Sequence, residues 1–100
     1  MSEKNLKTQI LKMVKKAFPE AWVWKISDRY YSGIPDLLIL MNGKAVFMEL
    51  KFGKNTLENL QRYTLKEINK RGVVAVEIRS VKEAKDILVN TFRKGVIEHD

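Results

Sequence analysis

Residues 33–51 read GIPDLLILMNGKAVFMELK and decide the fold. Two apolar runs flank Asn42-Gly43, and this dipeptide is the strongest short-range signal for a two-residue β-hairpin turn. The stretch therefore predicts two antiparallel strands in which the residue numbers of each opposed pair add up to 85. In that register Asp36 lies directly opposite Glu49.

The predicted hairpin carries a charged cluster at one end. Opposed side chains in an antiparallel pair have Cβ atoms about 5 Å apart, so two carboxylates placed there repel each other. Alternation along the strand puts Lys51 on the same face as Glu49, while apolar residues occupy the rest of both faces. A divalent cation such as Mg²⁺ would remove the repulsion, because hard ions bind carboxylate, carbonyl and water oxygens. The structural alternative is that Asp36 simply follows a proline at a strand start, while Glu49 and Lys51 form a surface ion pair.

The same residues carry a resemblance to a known family. Pro35-Asp36 followed by Glu49-Leu50-Lys51 resembles the signature of PD-(D/E)XK nucleases, and the spelling GIPDLLIL is similar to the VRR-NUC (virus-type replication-repair nuclease) branch. Archaeal Holliday-junction resolvases are relatives with the same core. The resemblance covers nearly the whole chain and implies an α/β, restriction-endonuclease-like fold. We therefore expect one domain over residues 1–100, with an αβββαβ core, a mixed four-stranded sheet and a C-terminal helix.

The resemblance implies a metal centre and its chemistry. Asp36, Glu49 and the backbone carbonyl of Leu50 are expected to hold Mg²⁺, with Mn²⁺ as the alternative ion. Lys51 is expected to orient or deprotonate the attacking water during hydrolysis of a phosphodiester bond. The implied product carries a 5′-phosphate, and no small-molecule cofactor is expected.

Two further catalytic residues are matched through the family, and each has an ordinary explanation beside it. Gln61 corresponds to a glutamine on the helix after the Glu-x-Lys motif, which reaches the active site; the alternative is a half-exposed glutamine at the edge of the core. Glu3 corresponds to an acidic residue on the first helix near the metal. Its alternative is a favourable interaction with the helix dipole.

Basic residues predict contacts with a polyanion. The net charge of +7 and the pI near 9.7 favour such a partner through counterion release, although many basic small proteins bind no specific polyanion. Arg29 and Ser32 resemble residues that resolvases place near the scissile phosphate, with an ordinary surface loop as the alternative. Arg62, Lys66 and Lys70 follow at four-residue steps and form either a DNA-binding ridge or only a solvated helix face.

The remaining helices and strands are predicted from periodicity and caps. A strand, a helix and a strand in succession form a crossover unit, so the last strand should run parallel to the second hairpin strand. The two tryptophans of the first strand are expected as core or interface anchors, with base stacking as the alternative. The predicted elements are a helix from Glu3 to about Phe18, a strand through Trp22, Trp24 and Ile26, a helix from near Thr56 to Arg71 with Asn55 and Glu58 as its capping box, a strand over residues 73–78, and a last helix capped by Ser80 and Glu83.

Composition excludes several classes of protein. The chain has no cysteine, which excludes disulfides and thiolate sites. It shows no signal-peptide pattern and no apolar run long enough to span a bilayer, so we expect a cytoplasmic protein without membrane contact, in the host cell if the source is viral. His99, the only histidine, lies near the chain end and is expected to be neither ligand nor base.

The resemblance implies a structure-selective DNA endonuclease, with four-way (Holliday) junctions as the expected substrate. Symmetric cutting of a junction needs two active sites, so a homodimer is expected. One rival is flap, nick or single-strand cleavage on the same fold. The other is a DNA-binding module that no longer cuts.

Overall fold

The fold is known from a computed structural model that describes residues 2–27 and 31–93. It contains three helices and one four-stranded sheet within these residues. The elements are α1 (Glu3–Ala17), β1 (Trp22–Lys25), β2 (Leu37–Met41), β3 (Lys44–Leu50), α2 (Asn59–Lys70), β4 (Val74–Ile78) and α3 (Val81–Leu88), with a π-helical turn, Val89–Arg93, continuing α3.

The hairpin of β2 and β3 has the predicted register. Leu37 pairs with Met48 and Met41 pairs with Lys44, so opposed residue numbers add up to 85 throughout the ladder. Asn42 and Gly43 have φ values of +54° and +71°, as a type I′ turn requires at both of its central residues. The register prediction is therefore confirmed.

The sheet is mixed, with strand order β1-β2-β3-β4. The strand β2 is antiparallel to both β1 and β3, whereas β4 runs parallel to β3 after the crossover through α2. This order, with α1 before the sheet and α3 after it, confirms the predicted α/β restriction-endonuclease-like architecture.

The main core lies between one face of the sheet and the helices α1 and α3. Alternate residues of β2 and β3 point into it because the pleat sends successive side chains to opposite faces. Phe18 and Phe92 meet there edge to face, with ring centroids 6.0 Å apart. The buried core residues are Leu6, Ile10, Val14, Phe18, Leu37, Ile39, Val46, Met48, Leu50, Ile78, Ala84, Leu88 and Phe92.

The helix α2 lies on the other face and covers mainly β4. The side-chain amide of Asn69 donates to the carbonyl oxygen of Ala75 at 3.1 Å and accepts from its N–H at 2.9 Å. These two bonds satisfy the backbone N–H and carbonyl groups of Ala75 on the outer edge of β4 and fix the helix against the sheet. Leu65 of α2 and Ala75 of β4 are both buried.

Two predictions about the elements are wrong in detail. The helix α2 begins at Asn59 rather than near Thr56, because Glu58 is its N-cap and Gln61, not Glu58, closes the capping box. Asn55 instead bonds to Glu3. Of the two roles expected for the tryptophans, the core role is wrong, since Trp22 is 60% exposed and Trp24 is 55% exposed, and the interface role stays a prediction. Within the described residues, no helix is both long enough and apolar enough to cross a membrane.

Gly33 brings the loop before β2 into close contact with the start of α2. Its φ is +83°, and a Cβ atom built there would lie 2.8 Å from Cγ of Leu60 and 3.0 Å from the Leu60 carbonyl oxygen. Glycine is therefore required both by backbone conformation and by space.

We predict that Gly33→Ala destabilises the fold by about 2–4 kcal/mol, because left-handed strain adds to overpacking against Leu60. Gly53→Ala is the matched control, since Gly53 has φ +66° but nothing within 4 Å of an added Cβ. The free energy of unfolding of this control should fall by about 1–2 kcal/mol, because only the left-handed strain applies to it. Urea unfolding of both variants measures the difference, and equal losses would show that the contact with Leu60 does not matter.

Candidate active site

Asp36 and Glu49 lie in contact at the end of the hairpin. Asp36 immediately precedes β2, and its Oδ2 accepts the backbone N–H of Leu50 at 2.8 Å. Glu49 is the second-last residue of β3 and is only 4% exposed, and its carboxyl group hydrogen-bonds that of Asp36. The predicted pairing of the two acids is thus present in the folded chain.

Burial and the neighbouring acid strongly raise the pKa of Glu49. Loss of hydration is the largest cause, followed by the charge of Asp36 and the hydrogen bond with it, and together they raise the pKa of Glu49 from 4.5 to about 8. The charge of Lys51 lowers this pKa, but not enough to offset the other causes. A carboxyl group that is buried beside a second carboxyl is costly to ionise unless a cation neutralises it.

Gln61 connects the helix α2 to the acid pair. Its Oε1 accepts the backbone N–H of Glu58 at 2.9 Å and closes the capping box, while its Nε2 donates to Oε2 of Glu49 at 3.4 Å. The side-chain amide therefore orients Glu49 from the helix N-terminus. The amide of this half-buried side chain is thereby satisfied on both its oxygen and its nitrogen.

Lys51 follows the acid pair along the chain. Its backbone N–H donates to the carbonyl oxygen of Ile78 at 3.0 Å, which extends the β3–β4 pairing by one residue. Its side chain is half-buried and close enough to lower the pKa of Glu49. Among residues 2–27 and 31–93, no carboxylate forms an ion pair with it.

Glu3 lies at the rim of the site. Together with Lys4, Lys7, Asp36 and Leu50 it lines a cleft of about 250 Å³. The two lysines were missed as site residues, although Lys7 follows Glu3 by four residues and so shares its helix face. Their position gives the cleft positive charge beside the acids.

Glu3 is held by a bond network that sequence reasoning also missed. Its Oε1 accepts from the side-chain amide of Asn55 at 3.0 Å. Arg79 in turn donates to the carbonyl oxygens of Gly53 at 3.1 Å and Asn55 at 2.6 Å, and pairs with Glu77 at 2.8 Å. These contacts fix the loop between β3 and α2. No local sequence pattern predicts these bonds, because Arg79 lies 24 residues after Asn55.

The carboxylates of Asp36 and Glu49 are ligands that suit a small hard cation. In the described part of the chain, no three His, Asp or Glu side chains lie close enough together to hold a metal ion. Two carboxylates and nearby backbone oxygens are nevertheless what Mg²⁺ commonly uses, since it retains several water ligands. The described contact made by Glu3 is with Asn55, so its predicted role as a metal ligand stays a prediction.

The chain was compared with known proteins. No family model matches it, and no curated protein matches it significantly. A solved structure described as "VRR_NUC domain" is similar, with a TM-score of 0.68 and 26% identity over 90% of this chain and 97% of that one. The fold is that of a VRR-NUC domain. This agreement confirms the resemblance drawn from the motif and supports a nuclease-type domain.

Four of the five predicted DNA-binding residues lie within the described part of the chain, and none of these four bonds to Asp36 or Glu49. Ser32 is exposed in the loop before β2, and Lys66 is exposed on α2. Arg62 donates to Asn59 at 3.3 Å, and Lys70 pairs with Glu67 at 2.9 Å, so both are bonded within or beside their own helix. Arg29 and His99 lie outside the described residues. Contact with DNA stays a prediction for all of the basic residues.

The metal-free chain should be less stable at pH 8 than at pH 5. Because folding raises the pKa of Glu49 above 4.5, the folded chain binds this proton more tightly than the unfolded chain. The resulting stabilisation is fully present below pH 4.5 and is lost as the pH rises through about 8. Glu49→Gln should remove this loss and raise Tm at pH 8 by roughly 4–8 °C, equivalent to about 1 kcal/mol.

Thermal unfolding in EDTA at both pH values measures this effect. Glu20→Gln is the control, because Glu20 is an exposed carboxylate, and it should follow the wild type. If Glu49→Gln also followed the wild type at both pH values, the raised pKa would be refuted.

Arg79→Lys should destabilise the domain by about 1–2 kcal/mol, because lysine keeps the charge beside Glu77 but cannot bridge both loop carbonyls. Arg71→Lys is the matched control, since Arg71 is an exposed partner of Glu67 on α2 and such pairs contribute little. Urea denaturation compares the two variants. An equal effect of both substitutions would contradict the bridging role of Arg79.

Proposed function

We propose that this chain is a divalent-metal-dependent endonuclease that hydrolyses phosphodiester bonds in branched DNA in the cytoplasm, with four-way junctions as its preferred substrate. The observation that carries the proposal is the contact between Asp36 and the buried carboxyl group of Glu49. The likeness to a VRR-NUC domain supports the nuclease class.

The residues for a metal ion are present. Asp36 and Glu49 would hold Mg²⁺, or alternatively Mn²⁺, with the carbonyl oxygen of Leu50 as a third ligand; Asp36 and Leu50 both line the cleft. The bound ion would polarise a phosphate oxygen and lower the pKa of a water molecule.

The chain's own groups complete the proposed chemistry. Lys51, free of any ion pair among the described residues, orients the attacking water and balances the charge that develops on the phosphate. Gln61 holds the Glu49 carboxylate in place through its 3.4 Å bond. Glu3 is fixed by Asn55 at the mouth of the cleft, where it would contact a water on the metal side.

Basic residues supply the proposed binding surface for DNA. Lys4 and Lys7 line the cleft that contains Asp36, so they are the cations best placed for the scissile phosphate. Arg62, Lys66 and Lys70 on α2, together with Ser32 and Arg29, would contact flanking phosphates. Phosphate contacts of this kind give affinity without reading sequence, which suits recognition of branched shape.

A homodimer is part of the proposal, because symmetric cutting of a junction requires two active sites. Cleavage of flaps, nicks or single strands by the same residues is the second candidate activity. The acid pair argues against the third candidate, a DNA-binding module that no longer cuts, because contact between the buried Glu49 and a second acid is costly without a bound cation.

We predict that Asp36→Asn lowers the rate of junction cleavage by roughly a hundredfold or more while DNA affinity changes little, because a charge needed for the reaction is lost. Lys51→Ala should also lower the rate of junction cleavage by at least about a hundredfold. The measurement is cleavage of a labelled four-way junction, a flap and a linear duplex with Mg²⁺ and with EDTA, beside a binding assay in Ca²⁺.

Glu20→Gln serves again as the control, because it removes an exposed acid far along the chain from the motif and should cleave like the wild type. Cleavage by Asp36→Asn at the wild-type rate would overturn the proposed site. Faster cleavage of the flap than of the junction would favour the second candidate activity.

A further inference from the structure

Two tryptophans lie exposed side by side on β1. Trp22 is 60% exposed and Trp24 is 55% exposed, and their ring centroids are 5.7 Å apart. Their register partners on β2, Leu40 and Leu38, point to the same face of the sheet and are only half-buried. We call these four residues the tryptophan face.

The tryptophan face carries no charge, although the chain has a net charge of +7. A surface that binds a polyanion is rich in lysine and arginine, because affinity comes from neutralised phosphates. The centre of a protein interface is instead aromatic and poor in charge. The chemistry of this face therefore fits a protein partner better than DNA, and two copies of a basic chain repel each other less across an uncharged region than across a basic one.

The outer edge of β1 is open. The N–H of Ile26 donates to the carbonyl oxygen of Asp36 at 2.9 Å, so by alternation the polar backbone groups of Trp22 and Trp24 face β2. Those of Val23 and Lys25 face outward, and no described residue bonds to them. The β4 edge differs, because Asn69 occupies it at Ala75.

We propose that two copies of this chain pair in antiparallel fashion along β1 and form one continuous eight-stranded sheet, with Val23 opposite Val23 of the second copy. The pairing supplies the second active site, and in that respect it rests on the proposed function. Its geometry rests only on the open edge and the tryptophan face.

This register gives favourable pairs across the two-fold axis. Trp22 lies opposite Trp24 of the second copy, and aromatic cross-strand pairs stabilise antiparallel sheets. Lys25 lies opposite Ala21 of the second copy, so equal charges do not meet. A shift by one residue would set Val23, which points to the core face, against a tryptophan.

Part of the surface that a dimer needs lies at this edge. Stable interfaces bury roughly 800 Å² per partner, and the flanks of the two tryptophan rings that meet across the two-fold axis supply a share of it. The strand backbones, Leu38 and Leu40 contribute further area.

The pairing has a consequence for the two acid pairs. Opposed residues of an antiparallel pair share one face of a sheet, so both Asp36–Glu49 clusters would face the same side. With strands about 4.8 Å apart and about 3.4 Å of rise per residue, the clusters would lie roughly 25–30 Å apart. Two strands of one branched DNA could then be reached from a single direction.

Light scattering coupled to gel filtration of the full chain is the first test. The wild type should have a mass near 23 kDa, twice the 11.7 kDa of one chain. Trp22→Ser/Trp24→Ser should raise the dimer dissociation constant at least a hundredfold and elute as a folded monomer, as judged by circular dichroism.

Cysteine cross-linking tests the register, because the chain has no cysteine of its own. Val23→Cys should form a disulfide-linked dimer under mild oxidation, since opposed Cα atoms lie within the range that a disulfide spans. Lys85→Cys, an exposed position on α3, is the control and should not cross-link at that rate.

A monomeric wild type, a double tryptophan variant that stays dimeric, or equal cross-linking of both cysteine variants would overturn the proposal. A monomeric wild type whose DNA affinity falls in the double variant would also overturn it and assign the tryptophans to DNA. Junction cleavage is scored separately. A monomer that cuts junctions would refute only the pairing, and a β1-linked dimer that cuts no DNA would refute only the nuclease proposal.

Discussion

Repulsion between two carboxyl groups held in contact is the constraint on which the rest of this molecule depends. Asp36 and Glu49 touch, and Glu49 is almost fully buried, so its pKa rises to about 8. A fold that only needed stability would gain by replacing either acid with an uncharged residue. The chain instead surrounds the pair with groups that hold it in place: the N–H of Leu50 on Asp36, and the Gln61 amide on Glu49. This is the pattern expected where function, rather than packing, sets the residue types.

The sheet explains how such an arrangement is built from short segments. The type I′ turn at Asn42-Gly43 fixes the hairpin register, and the register places the acids opposite each other. The crossover through α2 then places Gln61 above Glu49, because the capping box fixes the start of that helix. Arg79, at the end of β4, fixes the intervening loop and with it Asn55 and Glu3. Each contact therefore follows from strand order and from helix caps.

Sequence reasoning succeeded where the chemistry is local and failed where it is not. The hairpin register, the parallel β4 and the Ser80 cap of α3 follow from turn chemistry and short-range patterns, and all three are observed. The start of α2 was misplaced because Asn55 is the better N-cap by residue type, whereas in the fold its side chain bonds to Glu3 and Glu58 caps the helix. The exposure of the tryptophans could not be foreseen, because alternation gives the face of a strand but not whether another element covers that face. The bonds of Arg79 join residues far apart in the chain, so only the fold reveals them.

Metal binding tests the central claim most directly, because it does not depend on the choice of DNA substrate. Titration of the chelator-treated chain with Mn²⁺, followed by calorimetry, should give one saturable site per chain. The account predicts that this site is lost in Asp36→Asn and in Glu49→Gln and kept in Glu20→Gln. Saturable binding that survives both substitutions, or no binding by the wild type, would contradict it.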